Sequence, residues 1–302
     1  MAHTTSAQSA LNWTVVGRGA IGLLAASRLA LSGQPVSLWL RQRTALNIDF
    51  IQPQQTQHLR FSPATPPLTA VLVPVKSYAV VAAVSELLPS LKPDAQLVLS
   101  HNGMGTIEQI LPMLAAKQGL WFLTTTHGAL RRDNTVIHSG EGQSVLAPLN
   151  TAALTYQAQI QDGMSKALGP LLSVNDIWPY LWQKLAINAV INPLTAINNC
   201  RNGELALAYY QPQVSSIVKE VCQVSAATGF ALPYQATLKK VQQVISATAQ
   251  NFSSMQQDVL HKRRTEIDAI NGYVVRQATR FDIAVPHNRA LLQQVQHLEN
   301  SY

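Results

Sequence analysis

The sequence has 302 residues, enough for one large domain or two ordinary ones, and 47% of them are apolar, which is ample for a buried core. Only 12% are charged, and the net charge of +7 favours anionic ligands such as dinucleotide phosphates or a carboxylate substrate. The basic residues are scattered, without zinc-finger spacing or a basic stripe with interleaved aromatic residues, so no nucleic-acid partner is expected.

The first segment, residues 1–11, is a polar tail that lacks the apolar region of a secretory signal. No run of about 18 uninterrupted apolar residues occurs, so the sequence predicts neither a membrane-spanning helix nor a membrane partner. The two cysteines, Cys200 and Cys222, lie far apart and in no ligand spacing, which argues against a disulfide scaffold and a metal site. We therefore expect a cytoplasmic protein without a bound metal.

A dinucleotide-binding unit is predicted directly after this tail. A β-branched segment at 13–16 leads into the sequence GRGAIG, an Ala- and Leu-rich helix to about Ser32, and a second strand at 36–40. Strand, G-x-G-x-x-G, helix and strand follow in the order of a Rossmann βαβ unit. A glycine-rich turn without a ligand is the alternative interpretation.

Each part of the glycine motif has a physical role in phosphate binding. The first glycine permits the tight turn, the second lets the backbone approach a pyrophosphate, and the third lets the helix pack close to the strand. The helix start adds amide donors and the positive end of the helix dipole. Arg18, within the motif, either adds charge near the phosphates or points to water. The predicted cofactor-binding residues of this motif are Gly17, Arg18, Gly19, Ala20, Ile21 and Gly22.

The end of the second strand predicts which dinucleotide is bound. NAD sites usually carry an acidic residue there for the ribose 2′-hydroxyl, but this strand is followed by Arg41 and Arg43. A guanidinium can hold a 2′-phosphate through two parallel hydrogen bonds, which favours NADPH as the cofactor. Two solvated surface arginines are the alternative.

The rest of the first half alternates apolar strands with polar strand ends. Residues 44–67 are predicted as loops with short strands, and residues 136–148 as a strand pair that covers the sheet edge. Polar residues follow apolar strands at Lys76, at Asn102 and in the run 124–127, which includes Thr126, and each alone is typical of a turn or cap. Because ligands of parallel sheets collect at the carboxyl ends of strands, together they predict a cofactor-binding rim.

From about residue 176 the apolar pattern becomes helical, and no second glycine motif follows. The predicted fold class is α/β, with an N-terminal Rossmann-type doubly wound sheet followed by an all-α C-terminal domain. The predicted divisions are a polar tail at 1–11, an NADP-binding Rossmann domain at 12–174, and a helical substrate and catalytic domain at 175–302.

A helix that is apolar almost all round is predicted at 181–194. Its polar residues Lys184, Asn188 and Asn192 are spaced four residues apart, so they lie on one face as a narrow stripe. The stripe is either the wet edge of a mostly buried helix or the lining of a cleft in which Lys184 faces a substrate.

Several motifs occur in a characteristic order along the chain: GRGAIG, HNGMG, TTTHGALRRD, LWQKLAINAVINPLTAINNCRNGEL, NFSSMQQD and RRTEIDAINGYVVRQA. Together they resemble the 2-dehydropantoate 2-reductase (ketopantoate reductase) family, and especially its enterobacterial form. The resemblance covers about residues 12–290, and the later motifs are far more specific than the glycine loop. It implies NADPH-dependent reduction of 2-dehydropantoate to (R)-pantoate, a step of pantothenate and coenzyme A synthesis.

The resemblance also implies roles for single residues. Lys184 is implied as the general acid at the ketone oxygen, and Glu266 as a second catalytic and substrate-binding residue. Further substrate-binding positions are Asn102, Asn188, Asn192 and Ser254, and implied cofactor positions are Arg41, Lys76 and Asn102.

Ser254 and Glu266 impose a geometric condition on the fold. Twelve residues span about 18 Å along a straight helix, far more than the length of a pantoate-sized molecule. If both residues contact one substrate, the chain must bend between them, and we expect the break near residues 261–264.

Alternatives to this activity remain open at the level of sequence. An NADP-dependent reductase of another 2-keto or 3-hydroxy acid would share the architecture, because pocket shape sets the substrate. A non-catalytic NADP(H) sensor would be expected to lack Lys184 or Glu266, and both are present. Nucleic-acid binding is the weakest alternative and would require salt-sensitive retention on DNA. The sequence is compatible with a monomer or a homodimer.

Overall fold

The computed structural model of the protein describes residues 11–53 and 55–301. The predicted polar tail at 1–11 therefore lies, except for its last residue, outside the described part of the chain. The chain forms two compact units: the sheet unit comprises Met1–His101 with Glu108–Ile177, and the helical unit comprises Asn102–Ile107 with Trp178–Tyr302. The loop at 102–107 thus belongs to the helical unit although it follows a strand of the sheet unit in sequence.

Strands and short helices alternate in the first half of the chain. The strands are β1 (Trp13–Val16), β2 (Val36–Trp39), β3 (Leu46–Gln52), β4 (Gln55–Phe61), β5 (Leu68–Val73), β6 (Leu91–Leu99), β7 (Gly119–Thr125), β8 (Gly128–Arg132), β9 (Thr135–Gly140), β10 (Ser144–Pro148) and β11 (Leu171–Ser173). The helices are α1 (Ala20–Leu31), α2 (Val80–Leu87), α3 (Ile107–Ile110), α4 (Thr151–Leu154) and α5 (Gln157–Leu168). The predicted strand–helix–strand unit at the start of the chain is confirmed.

The larger sheet has seven strands in the order β11-β10-β7-β6-β5-β1-β2. Neighbouring strands are parallel except for β7 and β10. After β2 the chain crosses to β5 on the other side of β1, so the direction of winding reverses at β1. Such a reversal opens a crevice at the carboxyl ends of the flanking strands, here β1 and β5, where open α/β sheets bind ligands. The prediction of a doubly wound sheet is confirmed.

A second sheet of four strands has the order β4-β3-β9-β8, and two predictions for this region are wrong. Residues 44–67, predicted as loops with short strands, form the long antiparallel pair β3–β4. Residues 136–148, predicted as one strand pair, divide between β9 in this sheet and β10 in the larger one. β3 buries Ile48 and Phe50 on one face and pairs with β9, which lies far along the chain. This distant partner stabilises strands that the local pattern leaves ambiguous.

The helical unit is built around its first helix. Its helices are α6 (Trp178–Asn198), α7 (Gln211–Ala227), α8 (Tyr234–Ala247), α9 (Ser254–Leu260), α10 (Asn271–Arg280) and α11 (Pro286–Glu299), with short 3₁₀ segments at Asn202–Ala206, Ala208–Tyr210 and Ile267–Ala269. Helix α6 contacts α7, α8, α9 and α11, and its residues Leu185, Ala189 and Val190 are buried. The prediction of an all-α second half is confirmed, and α6 extends beyond the predicted 181–194 at both ends.

None of the helices in the described ranges combines the length and the apolar character that a membrane span requires.

Candidate active site

The glycine turn between β1 and α1 has the geometry of a phosphate-binding turn. Gly17 has a φ of +79°, a left-handed conformation that favours glycine, and its N–H donates to the Trp39 carbonyl at 2.9 Å. Gly19 forms the N-cap of α1 in an extended conformation, without a side-chain cap, and the first turn of α1 contains no acidic residue. The first N–H groups of a helix have no intrahelical acceptor, and they lie at the positive end of the helix dipole. This turn therefore suits an anion.

Gly22 allows α1 to pack closely on the strands. A Cβ atom at this position would lie 2.7 Å from Cγ of Pro74 and 3.4 Å from Cγ1 of Val15. Glycine therefore lets the start of α1 approach both β1 and the chain that leaves β5, at the point where the winding reverses. This is the close helix–strand packing that the third glycine of a dinucleotide-binding turn allows.

The end of β2 presents guanidinium groups in place of an acidic residue. Arg41 and Arg43 are both exposed. The Arg43 guanidinium lies 4.3 Å above the ring of Trp39, whose Nε1–H donates to Glu86 at 3.1 Å. Stacking on this anchored ring restrains Arg43, while Arg41 follows β2 more closely in sequence. Two cationic side chains at a strand end suit a ribose 2′-phosphate better than a 2′-hydroxyl.

The other predicted cofactor residues of the sheet unit have local partners. Arg18 donates to Oδ1 of Asn134 at 3.1 Å, in the turn between β8 and β9, and its carbonyl accepts from Arg131 at 2.7 Å. Lys76 occupies the N-cap position of the 3₁₀ segment Ser77–Ala79 that follows β5. Thr126 Oγ1 accepts from Gln143 N at 2.9 Å, so Thr126 is tied to the segment before β10. The carboxyl ends of β1, β5 and β7 in the larger sheet are followed by Gly17, Lys76 and Thr126.

In the helical unit, α6 carries the predicted polar stripe. Lys184 and Asn188 are half-buried, and Asn192 is only 6% exposed. Desolvation lowers the pKa of Lys184 from its ordinary value of 10.5 to about 8, and the negative charge of Glu266 opposes this shift. Two of the three side chains of the stripe thus keep partial exposure, and the charge of Glu266 acts on the Lys184 ammonium group.

Glu266 is buried, at 5% exposed, and occupies the N-cap position of the 3₁₀ segment Ile267–Ala269. Its Oε2 accepts from Nδ2 of Asn102 at 3.2 Å. The loop that carries Asn102 is held by Met104, whose N–H donates to the Ala269 carbonyl at 2.8 Å. Gly103 permits this contact, because a Cβ atom there would lie 2.4 Å from the same carbonyl. The fold thus brings Lys184, Glu266 and Asn102 together within the helical unit.

Ser254 occupies the first position of α9, where its side chain is exposed. The preceding residue, Ser253, is buried and caps the helix by accepting from Gln256 N at 3.0 Å. Ser253 Oγ also accepts from Thr195 Oγ1 at 2.7 Å, which ties the start of α9 to α6. The Thr195–Ser253 pair was not predicted from the sequence, since a serine before a helix signals a cap and gives no information about its distant donor.

The predicted break between Ser254 and Glu266 is confirmed. Helix α9 ends at Leu260, and Lys262 takes a left-handed conformation with a φ of +52°. The Arg263 N–H then donates to the Asp258 carbonyl at 2.8 Å, which turns the chain back before Glu266.

Comparison with known proteins defines the family of this chain. A family model described as ketopantoate reductase PanE/ApbA matches residues 13–151, and a model described as ketopantoate reductase PanE/ApbA C terminal matches residues 176–299. The chain belongs to the ketopantoate reductase family. The resemblance predicted from the motifs is therefore confirmed.

Curated members of the ketopantoate reductase family align over almost the whole chain. A 2-dehydropantoate 2-reductase of Vibrio cholerae serotype O1 is 41% identical over 296 residues, which cover 97% of this chain and 99% of that protein. The enzyme of the same name from Escherichia coli O157:H7 is 36% identical over 295 residues, covering 96% of this chain and 95% of that protein. The Escherichia coli enzyme agrees with the enterobacterial character predicted from the motifs, although the Vibrio cholerae enzyme is more similar to this chain.

Solved structures support the ketopantoate reductase fold. A probable 2-dehydropantoate 2-reductase from Bacillus subtilis is 26% identical, with a TM-score of 0.81, covering 95% of this chain and 100% of that one. A complex of D-mandelate dehydrogenase with NADH and anilino(oxo)acetate is 20% identical, with a TM-score of 0.87, covering 96% of this chain and 99% of that one. At this lower identity the likeness concerns the fold alone.

Proposed function

We propose that this member of the family is an NADPH-dependent 2-dehydropantoate 2-reductase, which forms (R)-pantoate for pantothenate and coenzyme A synthesis. The observation that carries the proposal is the grouping of Lys184, Glu266 and Asn102 in the helical unit. In this proposal the Rossmann domain predicted at 12–174 binds the dinucleotide, and the helical domain predicted at 175–302 binds the substrate.

Lys184 is proposed as the general acid. When bound, NADPH supplies the hydride that reduces C2 of the ketone. The ketone oxygen then gains negative charge, which the Lys184 ammonium stabilises and neutralises by transferring a proton. A pKa of about 8 keeps Lys184 mostly protonated at neutral pH and makes it a stronger acid than an exposed lysine.

The neighbouring side chains are proposed to orient the substrate. Glu266 would repel the substrate carboxylate but can accept a hydrogen bond from its terminal hydroxyl. The neutral amides of Asn102, Asn188 and Asn192 can bind substrate oxygens without adding charge. Ser254 lies at a helix start, where its hydroxyl and the adjacent backbone amides suit a carboxylate.

NADPH is proposed as the dinucleotide on the basis of the charges in the sheet unit. The turn at Gly17, Gly19 and Gly22 fits a pyrophosphate, and Arg18, Ala20, Ile21 and Thr126 are the further predicted contacts. Arg41 and Lys76 add positive charge near carboxyl ends of the strands. Bidentate binding of a 2′-phosphate by Arg41 would favour NADPH over NADH.

The test is NADPH oxidation with 2-dehydropantoate, compared with trimethylpyruvate, the same 2-keto acid without the terminal hydroxyl. We expect kcat/KM to be at least about 10²-fold lower for trimethylpyruvate, because Glu266 would be left without the hydroxyl donor. Replacing NADPH by NADH in the same assay tests the cofactor. Turnover of another 2-keto acid in preference to 2-dehydropantoate, or equal use of NADH, would contradict the corresponding part of the proposal.

A further inference from the structure

Helix α6 contains a proline, Pro193, which removes one hydrogen bond from the helix. A helical N–H normally donates to the carbonyl four residues earlier, so the missing N–H of Pro193 leaves the Ala189 carbonyl without its helical donor. Ala189 is fully buried, so water cannot easily replace this donor. A buried carbonyl without a partner is costly, and another group has to supply the hydrogen bond.

Asn271, the first residue of α10, supplies it. Its Nδ2 donates to the Ala189 carbonyl at 3.0 Å and to Oδ1 of Asn288 at 3.0 Å, and the residue is 0% exposed. Its own Oδ1 has no hydrogen-bond partner among the residues that the structure describes. Asn271 therefore acts as a double donor, and one of its two bonds replaces the helical bond that Pro193 removes.

A buried carboxylate fixes the orientation of this amide. Glu220 of α7 accepts from Nδ2 of Asn288 at 2.7 Å and from the backbone N–H groups of His287 and Asn288, each at 2.9 Å. A carboxylate can only accept, so Nδ2 of Asn288 must face Glu220 and its Oδ1 must face Asn271. Asn271 in turn has to present its NH₂ group to Asn288 and to Ala189. A chain of hydrogen bonds thus runs from α7 through α11 and α10 to α6.

The two ends of the Asn271–Ala189 bond lie beside the proposed site. Ala189 directly follows Asn188, and the turn that Pro193 opens includes Asn192. Asn271 follows Glu266 after the 3₁₀ segment Ile267–Ala269. Any shift of this bond would therefore displace the polar stripe of α6 relative to Glu266.

We infer that Asn271 is a positioning residue for the reductase site, which clamps the proline turn of α6 to the segment that carries Glu266. This inference rests on the proposed function only for its effect on turnover, since the clamp itself is a property of the fold. Displacement of a reacting group by about 1 Å can reduce turnover by about 10²-fold. The clamp therefore has a kinetic consequence although Asn271 contacts neither substrate nor cofactor in this scheme.

The test is a double-mutant cycle of Asn271→Ala and Pro193→Ala. Pro193→Ala restores an N–H at position 193, which can donate to the Ala189 carbonyl in place of Asn271. The bond from Asn271 to Asn288 is lost in either background, so its loss cancels in the cycle. We expect Asn271→Ala to lower kcat by about 10²-fold in the wild-type background but by less than about threefold in the Pro193→Ala background. The Kd for NADPH should stay unchanged in all variants, because the sheet unit retains its glycine turn.

Thr237→Val is the matched control. Thr237 is buried in α8, and its Oγ1 also donates to a backbone carbonyl, that of Pro233, at 2.8 Å. This variant should lower the melting temperature by the same amount in both backgrounds and leave kcat within about twofold. It separates the clamp from a general loss of stability.

The inference would be overturned if Asn271→Ala lowered kcat by the same factor in both backgrounds. It would also be overturned if Asn271→Ala lowered the melting temperature without lowering kcat. If Asn271→Ala does not fold, Asn271→Ser, which keeps a shorter donor, takes its place in the cycle, and an equal fall in kcat in both backgrounds would again overturn the clamp. The same cycle measured by thermal unfolding needs no substrate. The wild type could fail to reduce 2-dehydropantoate while Asn271→Ala and Pro193→Ala are still coupled in thermal unfolding. That result would contradict the proposed function and leave the clamp intact.

Discussion

The two units build their predicted sites from different parts of the chain. In the sheet unit, backbone atoms dominate: a left-handed glycine, an uncapped helix start and a glycine against Pro74 lie within residues 17–22. In the helical unit, side chains dominate: Asn102, Lys184, Ser254 and Glu266 come from separate segments. The first site depends on chain conformation, and the second depends on packing between distant segments.

This difference extends to the charges. Arg41 and Arg43 are exposed at the end of β2, where solvent screens them and guanidinium groups stay charged. Lys184 is desolvated, and its pKa falls to about 8. The sheet unit therefore offers fixed positive charge suited to binding phosphates, whereas the helical unit offers an ammonium group whose pKa lies close to neutral pH, as the proposed proton transfer requires.

The largest expected effect separates binding from chemistry. Lys184→Ala should lower kcat by about 10²–10⁴-fold, the usual contribution of a general acid, and leave the Kd for NADPH within about twofold. Steady-state NADPH oxidation with 2-dehydropantoate and fluorescence titration with NADPH measure the two quantities. Lys240→Ala, which removes an exposed lysine from α8, is the control and should change neither. Comparable turnover in Lys184→Ala and Lys240→Ala would remove Lys184 from the proposed role.

A smaller effect is expected when the charge beside Lys184 is removed. Glu266→Gln should lower kcat/KM by about 10–10²-fold, because a charge-assisted hydrogen bond to the substrate hydroxyl is lost. It should also lower the pKa of Lys184 below about 8, since the charge of Glu266 raises that pKa. A general acid must be protonated, so kcat/KM of the wild type should fall as pH rises through about 8, and the variant should begin to fall at lower pH.

The control for this pH profile is Asp268→Asn in the same segment. Asp268 pairs with Arg264 at 3.3 Å and accepts from Gln296 at 2.8 Å, and it is not among the causes of the Lys184 shift. Asp268→Asn should leave the pH at which kcat/KM falls on the alkaline side unchanged. An unshifted fall in Glu266→Gln, or an equal shift in both variants, would mean that Glu266 does not set the protonation of Lys184.

Contiguous motifs could be predicted from the sequence, because their structure depends on neighbours along the chain. The glycine turn at 17–22 and the polar stripe on α6 follow from spacing alone. The break after Leu260 followed from a length argument, since one substrate cannot span a straight helix from Ser254 to Glu266.

Features that depend on distant partners could not be predicted. The sequence predicts only short strands among loops at β3 and β4, because polar residues conceal the alternation of Ile48 and Phe50. The second partner of β3, strand β9, is far along the chain. The sequence contained a signal for the Asn271 clamp, since a proline inside a helix always frees a carbonyl. It did not show which residue would supply the missing donor, because that choice depends on how α6, α7, α10 and α11 pack together.

The smallest effect tests whether the sheet unit binds its ligand through backbone conformation. Gly17 and Gly33 have nearly equal φ values, +79° and +76°, and an added Cβ atom would meet no close contact at either position. Gly17→Ala and Gly33→Ala should therefore cost a similar free energy of unfolding, about 1–2 kcal/mol for a left-handed residue with a side chain. Only Gly17 lies in the phosphate turn, so only Gly17→Ala should weaken NADPH binding, by roughly tenfold if one charge-assisted hydrogen bond is weakened. Urea unfolding and NADPH titration measure the two effects, and an equal change in Kd for both variants would show that the turn at Gly17 has no specific part in binding.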